Sequence, residues 1–263
     1  PAIDSDRTLF VVFSRALRNY VSGVLPSLGV ANARVVTYAE WASEQRRRHF
    51  PRLPTSQRDD TPAIATKLKL HPAIGRALEL HVPSVPGPDT PRQALDDWAS
   101  LVTNERLLRE VFDREAPGEL SDDELHRFVD LHRKRNEEVF AFLAGDRDAD
   151  AQLDPEDDAL LLRAWQLRVG PLRAAGVQGD ARPVRYRHVA IDEVQDFAPL
   201  EVQVLLGCLD ERKSITLAGD TQQHVTLHGG FTRWTAFLNE LGIPGTALET
   251  LRVAYRSTRE IVD

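Results

Sequence analysis

The apolar positions of the chain follow two patterns: short continuous runs typical of buried strands, and helical spacings typical of helices with one apolar face. Near the beginning, the runs Thr8–Phe13 and Arg34–Tyr38 are each followed by a helical pattern. The same alternation returns after Arg185. The strands and helices predicted there are, in order, His188–Ile191, Leu200–Leu209, Ser214–Ala218, Thr232–Leu241 and Thr246–Thr250. Strands that alternate with helices predict an α/β fold with a parallel sheet.

A different pattern separates these two regions. Residues 50–91 are rich in Pro, Asp and Thr, two long helical patterns follow, and an acidic linker ends the segment. The second long pattern begins with Ser121 and Glu124, which have the spacing of a capping box. We therefore predict a split α/β domain, residues 1–45 plus 155–263, interrupted by a mainly helical insertion domain, residues 46–154.

Composition and charge narrow the class of protein only a little. The chain has 263 residues, of which 42% are hydrophobic and 28% charged, which is typical of a globular protein. Its net charge of −7 argues against nucleic-acid binding, but only weakly, because such binding needs only a local basic groove. A single cysteine, Cys208, rules out a disulfide within the chain and fits a reducing, cytoplasmic setting. No apolar run is long enough to span a membrane, so we expect no membrane partner.

Two basic runs lie in the predicted insertion, Arg46–Arg48 and Arg133–Arg135. Acidic residues flank both runs. This favours a solvated helix face for each run over a contact with nucleic acid.

An acidic pair, Asp192 and Glu193, follows directly after the predicted strand His188–Ile191. The carboxyl ends of strands are where open parallel sheets bind ligands. One carboxylate there can hold Mg²⁺ and the next can activate a water molecule. The alternative is an acidic pair at a helix start, favourable with the helix dipole but without chemistry.

Three stretches carry a resemblance to a known family. Ile191–Phe197 resembles the Walker B stretch, Asp-Glu-x-Gln-Asp, of the UvrD/Rep branch of superfamily 1 helicases. Leu217–Gln223 resembles the Gly-Asp-x-x-Gln motif of that family, and Leu251–Thr258 resembles its Asn-Tyr-Arg-Ser-Thr motif, with Ala254 in place of Asn. The resemblance implies a RecA-like P-loop NTPase sheet with a helical insertion, and it implies ATP and Mg²⁺ as cofactors.

The resemblance also implies roles for single residues. It makes Asp192 the Mg²⁺ ligand and Glu193 the base that activates water. It also implies that Gln223 and Arg256 contact the γ-phosphate, that Tyr255 packs on the adenine and that Gln195 links neighbouring motifs. The implied nucleotide-binding residues are therefore Gln195, Asp220, Gln223, Tyr255 and Arg256. Gln223 and Arg256 are also implied to be catalytic, through the γ-phosphate. An ordinary polar turn and a solvent-exposed basic helix start are the alternatives for the second and third motifs.

A further stretch, Phe13–Leu17, resembles motif Ia, which contacts the backbone of single-stranded DNA in this family. The implied DNA-binding residues are Ser14, Arg15, Thr37, Tyr38 and His228. His228 stands near the place of a tryptophan that often stacks on a base, and it is a weaker stacking group. The alternative for Ser14 and Arg15 is a helix-capping serine followed by an exposed arginine.

One expected motif is missing. The four lysines of the chain follow no glycine, so the P-loop that cradles phosphates is absent. The resemblance places the P-loop just before Pro1 and a second RecA-like domain after Asp263. We therefore expect a fragment of an ATP-dependent DNA helicase or translocase that, alone, binds ATP poorly and does not unwind DNA.

Two other functions remain open. Val24–Gly29, Asp196–Leu200 and Gly230–Trp234 resemble, more loosely, the HelD-type helicase-like proteins that bind and recycle RNA polymerase, in which the insertion contacts polymerase instead of DNA. The second of these functions is that of a scaffold, in a degenerate domain whose parent protein lacks the P-loop.

Overall fold

A four-stranded parallel sheet forms the centre of the fold in the computed structural model, which describes residues 7–30, 32–174, 182–220 and 233–249. Its strands are β1 (Thr8–Val12), β2 (Arg34–Thr37), β3 (His188–Ile191) and β4 (Ile215–Leu217). Their order across the sheet is β2-β1-β3-β4, and all three pairings are parallel. The prediction of an α/β fold is confirmed, and the sheet is consistent with a RecA-like fold.

The central strand β1 shows why the strand predictions succeed. Leu9, Val11 and Val12 are fully buried, and β1 pairs with β2 on one side and with β3 on the other. A strand covered on both faces needs a continuous apolar run, which is the pattern that the sequence has here. The register sets Val11 opposite both Val36 and Ile191, so the three strands end close together.

The described part of the chain contains ten helices. They are α1 (Arg15–Val24), α2 (Tyr38–His49), α3 (Ala63–Leu70), α4 (Pro72–Ser84), α5 (Pro91–Leu101), α6 (Glu105–Glu115), α7 (Asp122–Ala144), α8 (Asp157–Arg168), α9 (Pro199–Leu206) and α10 (Trp234–Glu240). The predicted capping box at the start of α7 is present, with Glu124 and Ser121 bonded to each other's backbone N–H. No helix among the described residues is long and apolar enough to cross a membrane.

The predicted strand Thr246–Thr250 is not observed in its described part, where residues 246–249 form no regular element. A strand needs a neighbouring strand to bond with. Among the described strands, β4 is at the edge of the sheet and pairs only with β3. Residues 246–249 do not add a strand to that edge in the described chain.

Helix α8 links the sheet to the predicted insertion. It packs against α2 and α9 and also against α4 and α5. Leu160, Leu161 and Leu162 are all fully buried, as expected of a helix that is apolar on every side. One continuous apolar core therefore runs from the strands into the helices. The division into residues 1–45 plus 155–263 and residues 46–154 stays a prediction.

Six buried charged side chains, three basic and three acidic, lie where α2, α3 and α7 meet the start of α8. We call them the buried ionic network: Arg46, Lys69, Arg135, Asp154, Asp157 and Asp158. Lys69 Nζ is 2.6 Å from Asp154 Oδ2 and 2.6 Å from Asp157 Oδ1. Arg135 contacts Asp154 at 2.5 Å, and Arg46 contacts Asp158 at 2.6 Å.

The network corrects the interpretation of the two basic runs as solvated helix faces in part. Arg47, Arg133 and Lys134 are exposed as expected, but one arginine of each run belongs to the network. Arg46 is 0% exposed and the side chain of Arg135 is 11% exposed. Each run turns one arginine inward, because a buried aspartate near the start of α8 needs a positively charged partner.

Candidate functional site

The predicted site residues that the structure describes all follow the carboxyl ends of strands. Ser14 and Arg15 come after β1, and Thr37 and Tyr38 lie at the end of β2. The remaining four come after β3 and β4: Asp192, Glu193, Gln195 and Asp220. Because the strands are parallel, these ends lie along one edge of the sheet. Gln223, His228, Tyr255 and Arg256 lie outside the described residues.

The backbone changes direction sharply at the acidic pair. The Asp192 N–H donates to the Val11 carbonyl oxygen at 3.1 Å, which continues the pairing with β1. Glu193 then adopts φ 54° and ψ 46°, in the left-handed region that side chains other than glycine rarely occupy. The Val194 N–H donates to the Ala218 carbonyl oxygen at 2.9 Å, next to β4. Strained backbone of this kind concentrates at functional sites.

Gln195 joins the acidic pair to the next predicted motif. Its Nε2 donates to Glu193 Oε2 at 2.6 Å, and its Oε1 accepts from the Asp220 N–H at 3.1 Å. Gln195 is only 2% exposed, so both hydrogen bonds are shielded from water. A neutral amide thus fixes one oxygen of the Glu193 carboxylate. The structure brings together three predicted residues, Glu193, Gln195 and Asp220, although their roles stay predictions.

Gly219 makes room for this link. A Cβ at position 219 would lie 2.6 Å from Gln195 Oε1 and 2.8 Å from Val194 Cγ1. Both distances are shorter than any ordinary contact. Glycine permits such a close approach because it has no side chain. The structure shows that the group approaching it is the Gln195 side chain.

An aromatic cluster connects the acidic loop to the two strand ends on the predicted DNA side. Phe197 is 1% exposed, and its ring meets Phe13 and Tyr38 edge to face, with centroids 6.2 and 6.3 Å apart. Tyr38 is 7% exposed, and burial followed by the nearby Glu201 raises its pKa well above the usual value. The structure thus gives Tyr38 a packing role, and its contact with DNA stays a prediction.

The two predicted DNA-side hydroxyls act as helix caps. Ser14 Oγ accepts from the Leu17 N–H at 3.2 Å at the start of α1, and Thr37 Oγ1 accepts from the Glu40 N–H at 3.3 Å at the start of α2. Both helix N-termini therefore lie beside the carboxyl edge of the sheet. Such ends favour anions, because their N–H groups are unpaired within the helix and the helix dipole is positive there.

Sequence reasoning missed Glu40, which joins the starts of α1 and α2 at one corner of the carboxyl edge. Glu40 Oε2 accepts from the Thr37 N–H at 3.3 Å and completes a capping box. Glu40 Oε1 lies 2.6 Å from Arg18 Nη1 and 3.5 Å from Arg15 Nε. Burial alone would raise the pKa of Glu40, but the hydrogen bonds from Thr37 and Arg18 outweigh it and lower the pKa. The spacing Thr37-x-x-Glu40 is a capping-box signal that was visible in the sequence.

A magnesium site at this edge would rest on few protein ligands. Within the described ranges, no group of three or more His, Cys, Asp or Glu side chains is arranged to hold a metal. Mg²⁺ bound to nucleotides commonly takes one or two carboxylates, with waters and phosphate oxygens as its other ligands. A single carboxylate at a strand end, Asp192, fits that arrangement.

The fold and this edge define a class: an α/β protein with a parallel sheet and an acidic pair at its ligand-binding edge. No protein-family model matches the chain. Part of it is similar to the ATP-dependent DNA helicase UvrD2 of Mycobacterium bovis and of Mycobacterium tuberculosis, with 33% identity over 96 residues. The match covers 34% of this chain and only 13% of the length of those relatives. This partial similarity supports a relationship to UvrD-type helicases and, more generally, to nucleotide-binding proteins.

Proposed function

We propose that this chain is part of a cytoplasmic, ATP-dependent DNA helicase or translocase of the UvrD/Rep type in superfamily 1. Its RecA-like part comprises residues 1–45 and 155–263, and residues 46–154 form a helical insertion. The observation that carries the proposal is the hydrogen-bonded series Glu193, Gln195 and Asp220 across the ends of β3 and β4. The similarity of part of the chain to UvrD2 supports it.

A general base needs a carboxylate oxygen held in a fixed direction, and the hydrogen bond from Gln195 supports this role for Glu193. Because Gln195 holds Glu193 Oε2, the other oxygen, Oε1, keeps a defined direction in which to accept a proton from water. Asp192 would hold Mg²⁺, which neutralises charge on the phosphate oxygens. Gln223 and Arg256 would read the γ-phosphate, and Tyr255 would pack on the adenine.

On the neighbouring strand ends, Ser14, Arg15, Thr37, Tyr38 and His228 would contact single-stranded DNA. Phe197 would couple the nucleotide site to the DNA site, because its ring packs against Phe13 after β1 and Tyr38 after β2. A change in the acidic loop on hydrolysis would shift that ring and, with it, Phe13 and Tyr38.

The test is ATP hydrolysis by the full-length protein, with and without single-stranded DNA, beside the variant Glu193→Gln. We expect DNA to stimulate hydrolysis and the variant to lose about a hundredfold or more of the rate, because a general base contributes about that much. Circular dichroism would check that the variant folds.

The same experiment separates the other two functions. Hydrolysis that needs Glu193 but ignores DNA would favour a factor that binds RNA polymerase, and a polymerase pull-down with and without residues 46–154 would then test the insertion. No hydrolysis at all would favour a scaffold and contradict the catalytic roles of Asp192 and Glu193.

A further inference from the structure

The Glu40 carboxylate is held like a bound oxyanion. Its donors come from two helices: the Arg18 guanidinium at 2.6 Å, the Arg15 guanidinium at 3.5 Å and the Thr37 backbone N–H at 3.3 Å. Guanidinium groups and the N–H groups of helix N-termini are also the donors that proteins use for the phosphates of nucleic acids. An internal carboxylate therefore occupies donors that suit a phosphate.

These donors are accessible from solvent. The side chain of Arg15 is 81% exposed, and those of Arg18 and Glu40 are 32% and 30% exposed. Ion pairs at such exposure contribute little free energy, because water and salt screen them. A phosphate that reaches this corner can replace Glu40 at small cost, and it gains both arginines together with the positive ends of α1 and α2.

A second acidic residue of α2 offers a comparison. Glu44 lies one turn further along the helix and pairs with Arg34 and Arg48. Arg34 begins β2, so that pair lies towards the amino edge of the sheet, away from the candidate site. Glu40 and Glu44 thus carry the same charge and both pair with two arginines, but only Glu40 lies beside the predicted DNA-binding residues.

We propose that Arg18 joins Arg15 in binding the phosphate backbone of single-stranded nucleic acid, and that Glu40 competes with that backbone for both arginines. Glu40 thereby lowers the affinity of this site for single-stranded nucleic acid and excludes weakly bound anions from the two arginines. The inference rests on the proposed function, because it concerns the same nucleic-acid site. Its new elements are the contact by Arg18 and the competition by Glu40.

The test uses fluorescence anisotropy of a labelled oligo-dT strand with the full-length protein, over a series of salt concentrations. Glu40→Gln removes the charge but keeps the capping box, in which Gln also serves. We expect it to tighten binding about threefold to tenfold at low salt and to steepen the salt dependence by about one phosphate contact. Glu44→Gln, the matched control, should change the affinity by less than about twofold, because its charge lies outside the site.

A further variant isolates the arginine. Arg18→Ala should weaken binding, and Arg18→Ala combined with Glu40→Gln should lose most of the gain that Glu40→Gln gives alone. Thermal unfolding of each variant would confirm that it is folded. Equal tightening by Glu40→Gln and Glu44→Gln would show a general charge effect and overturn the inference, while the proposed function stands. Absence of binding by the wild type and by Glu40→Gln would instead overturn the proposed nucleic-acid function itself.

Discussion

The carboxyl edge of the sheet and the buried ionic network use the same types of side chain in opposite ways. In the network, three basic and three acidic side chains pair deep in the protein, and Lys69 and Asp154 are both 0% exposed at their side chains. At the edge, Glu193 is only half-buried and its partner is the neutral amide of Gln195. The network carboxylates thus pair with cations, whereas the Glu193 carboxylate is oriented by a neutral amide, as the proposed role of a general base requires.

The difference also concerns backbone geometry. Five of the six network residues lie on regular helices, and Asp154 lies three residues before α8. The edge includes a left-handed residue, Glu193, and a glycine that must lack a Cβ, Gly219. Of these two regions, the edge thus holds the left-handed backbone at Glu193, as is common for sites that bind ligands.

The largest effect should come from breaking the network. Lys69→Met leaves Asp154 and Asp157 without their shared cation, and we expect the free energy of unfolding to fall by about 3–5 kcal/mol. Lys67→Met, two residues away, removes a partly exposed pair with Glu124 and should cost less than about 1 kcal/mol. Urea unfolding at pH 7 measures both. Equal losses of unfolding free energy would mean that the buried ion pairs matter no more to stability than the partly exposed pair.

A smaller effect should follow from crowding the edge. Gly219→Ala places a Cβ against Gln195 and Val194, and we expect a loss of about 1–3 kcal/mol in unfolding free energy. Hydrolysis by the full-length protein should fall as well, because Glu193 loses its hydrogen-bond partner. The control is Gly23→Ala in α1, where a Cβ meets nothing within 4 Å. It should leave stability unchanged or raise it by about 1 kcal/mol.

The smallest effect concerns pH and His132, which lies beside the network. Its Nδ1 is 2.7 Å from the Phe128 carbonyl oxygen and its Nε2 is 3.7 Å from Asp154 Oδ2. Burial, followed by the charge of Lys69, lowers the pKa of His132. The unfolded chain therefore binds a proton more readily than the folded one, so this group removes stability as pH falls below about 6.5.

Other groups titrate in the same range, so the measurement is a difference. Burial raises the pKa of Glu201 and of Glu240 to about 7, which acts in the opposite direction. We expect His132→Asn to lose less stability than the wild type between pH 7 and pH 5, because Asn does not titrate. Thermal unfolding of both proteins across that range would show it, and parallel curves would contradict a neutral His132 in the fold.

The strands and the acidic edge could be predicted because their signals are local. An apolar run predicts β1, and the Asp192–Glu193 pair follows an apolar strand directly. The capping box at Ser121 is equally local. Such patterns need only a few neighbouring residues, and the parallel order then brings the strand ends together.

The ionic network and the Gln195 link could not be predicted in this way. Lys69 and Asp154 are 85 positions apart, and Gln195 and Asp220 are 25 apart, with no periodic pattern to connect either pair. Which of three adjacent arginines faces inward depends on where α8 lies, which is a property of tertiary packing. The capping box at Thr37 was local and visible, and its significance emerged only when Arg15 and Arg18 were placed beside Glu40.

The left-handed backbone at Glu193 has a consequence for how this sequence can change. A non-glycine residue held there costs about 1–3 kcal/mol, and Asn or Gly tolerates the conformation better. Selection for stability alone would therefore drive this position away from glutamate. Under the proposed function, glutamate at this position exchanges some stability for chemistry, and related proteins that do not hydrolyse nucleotide should lack it.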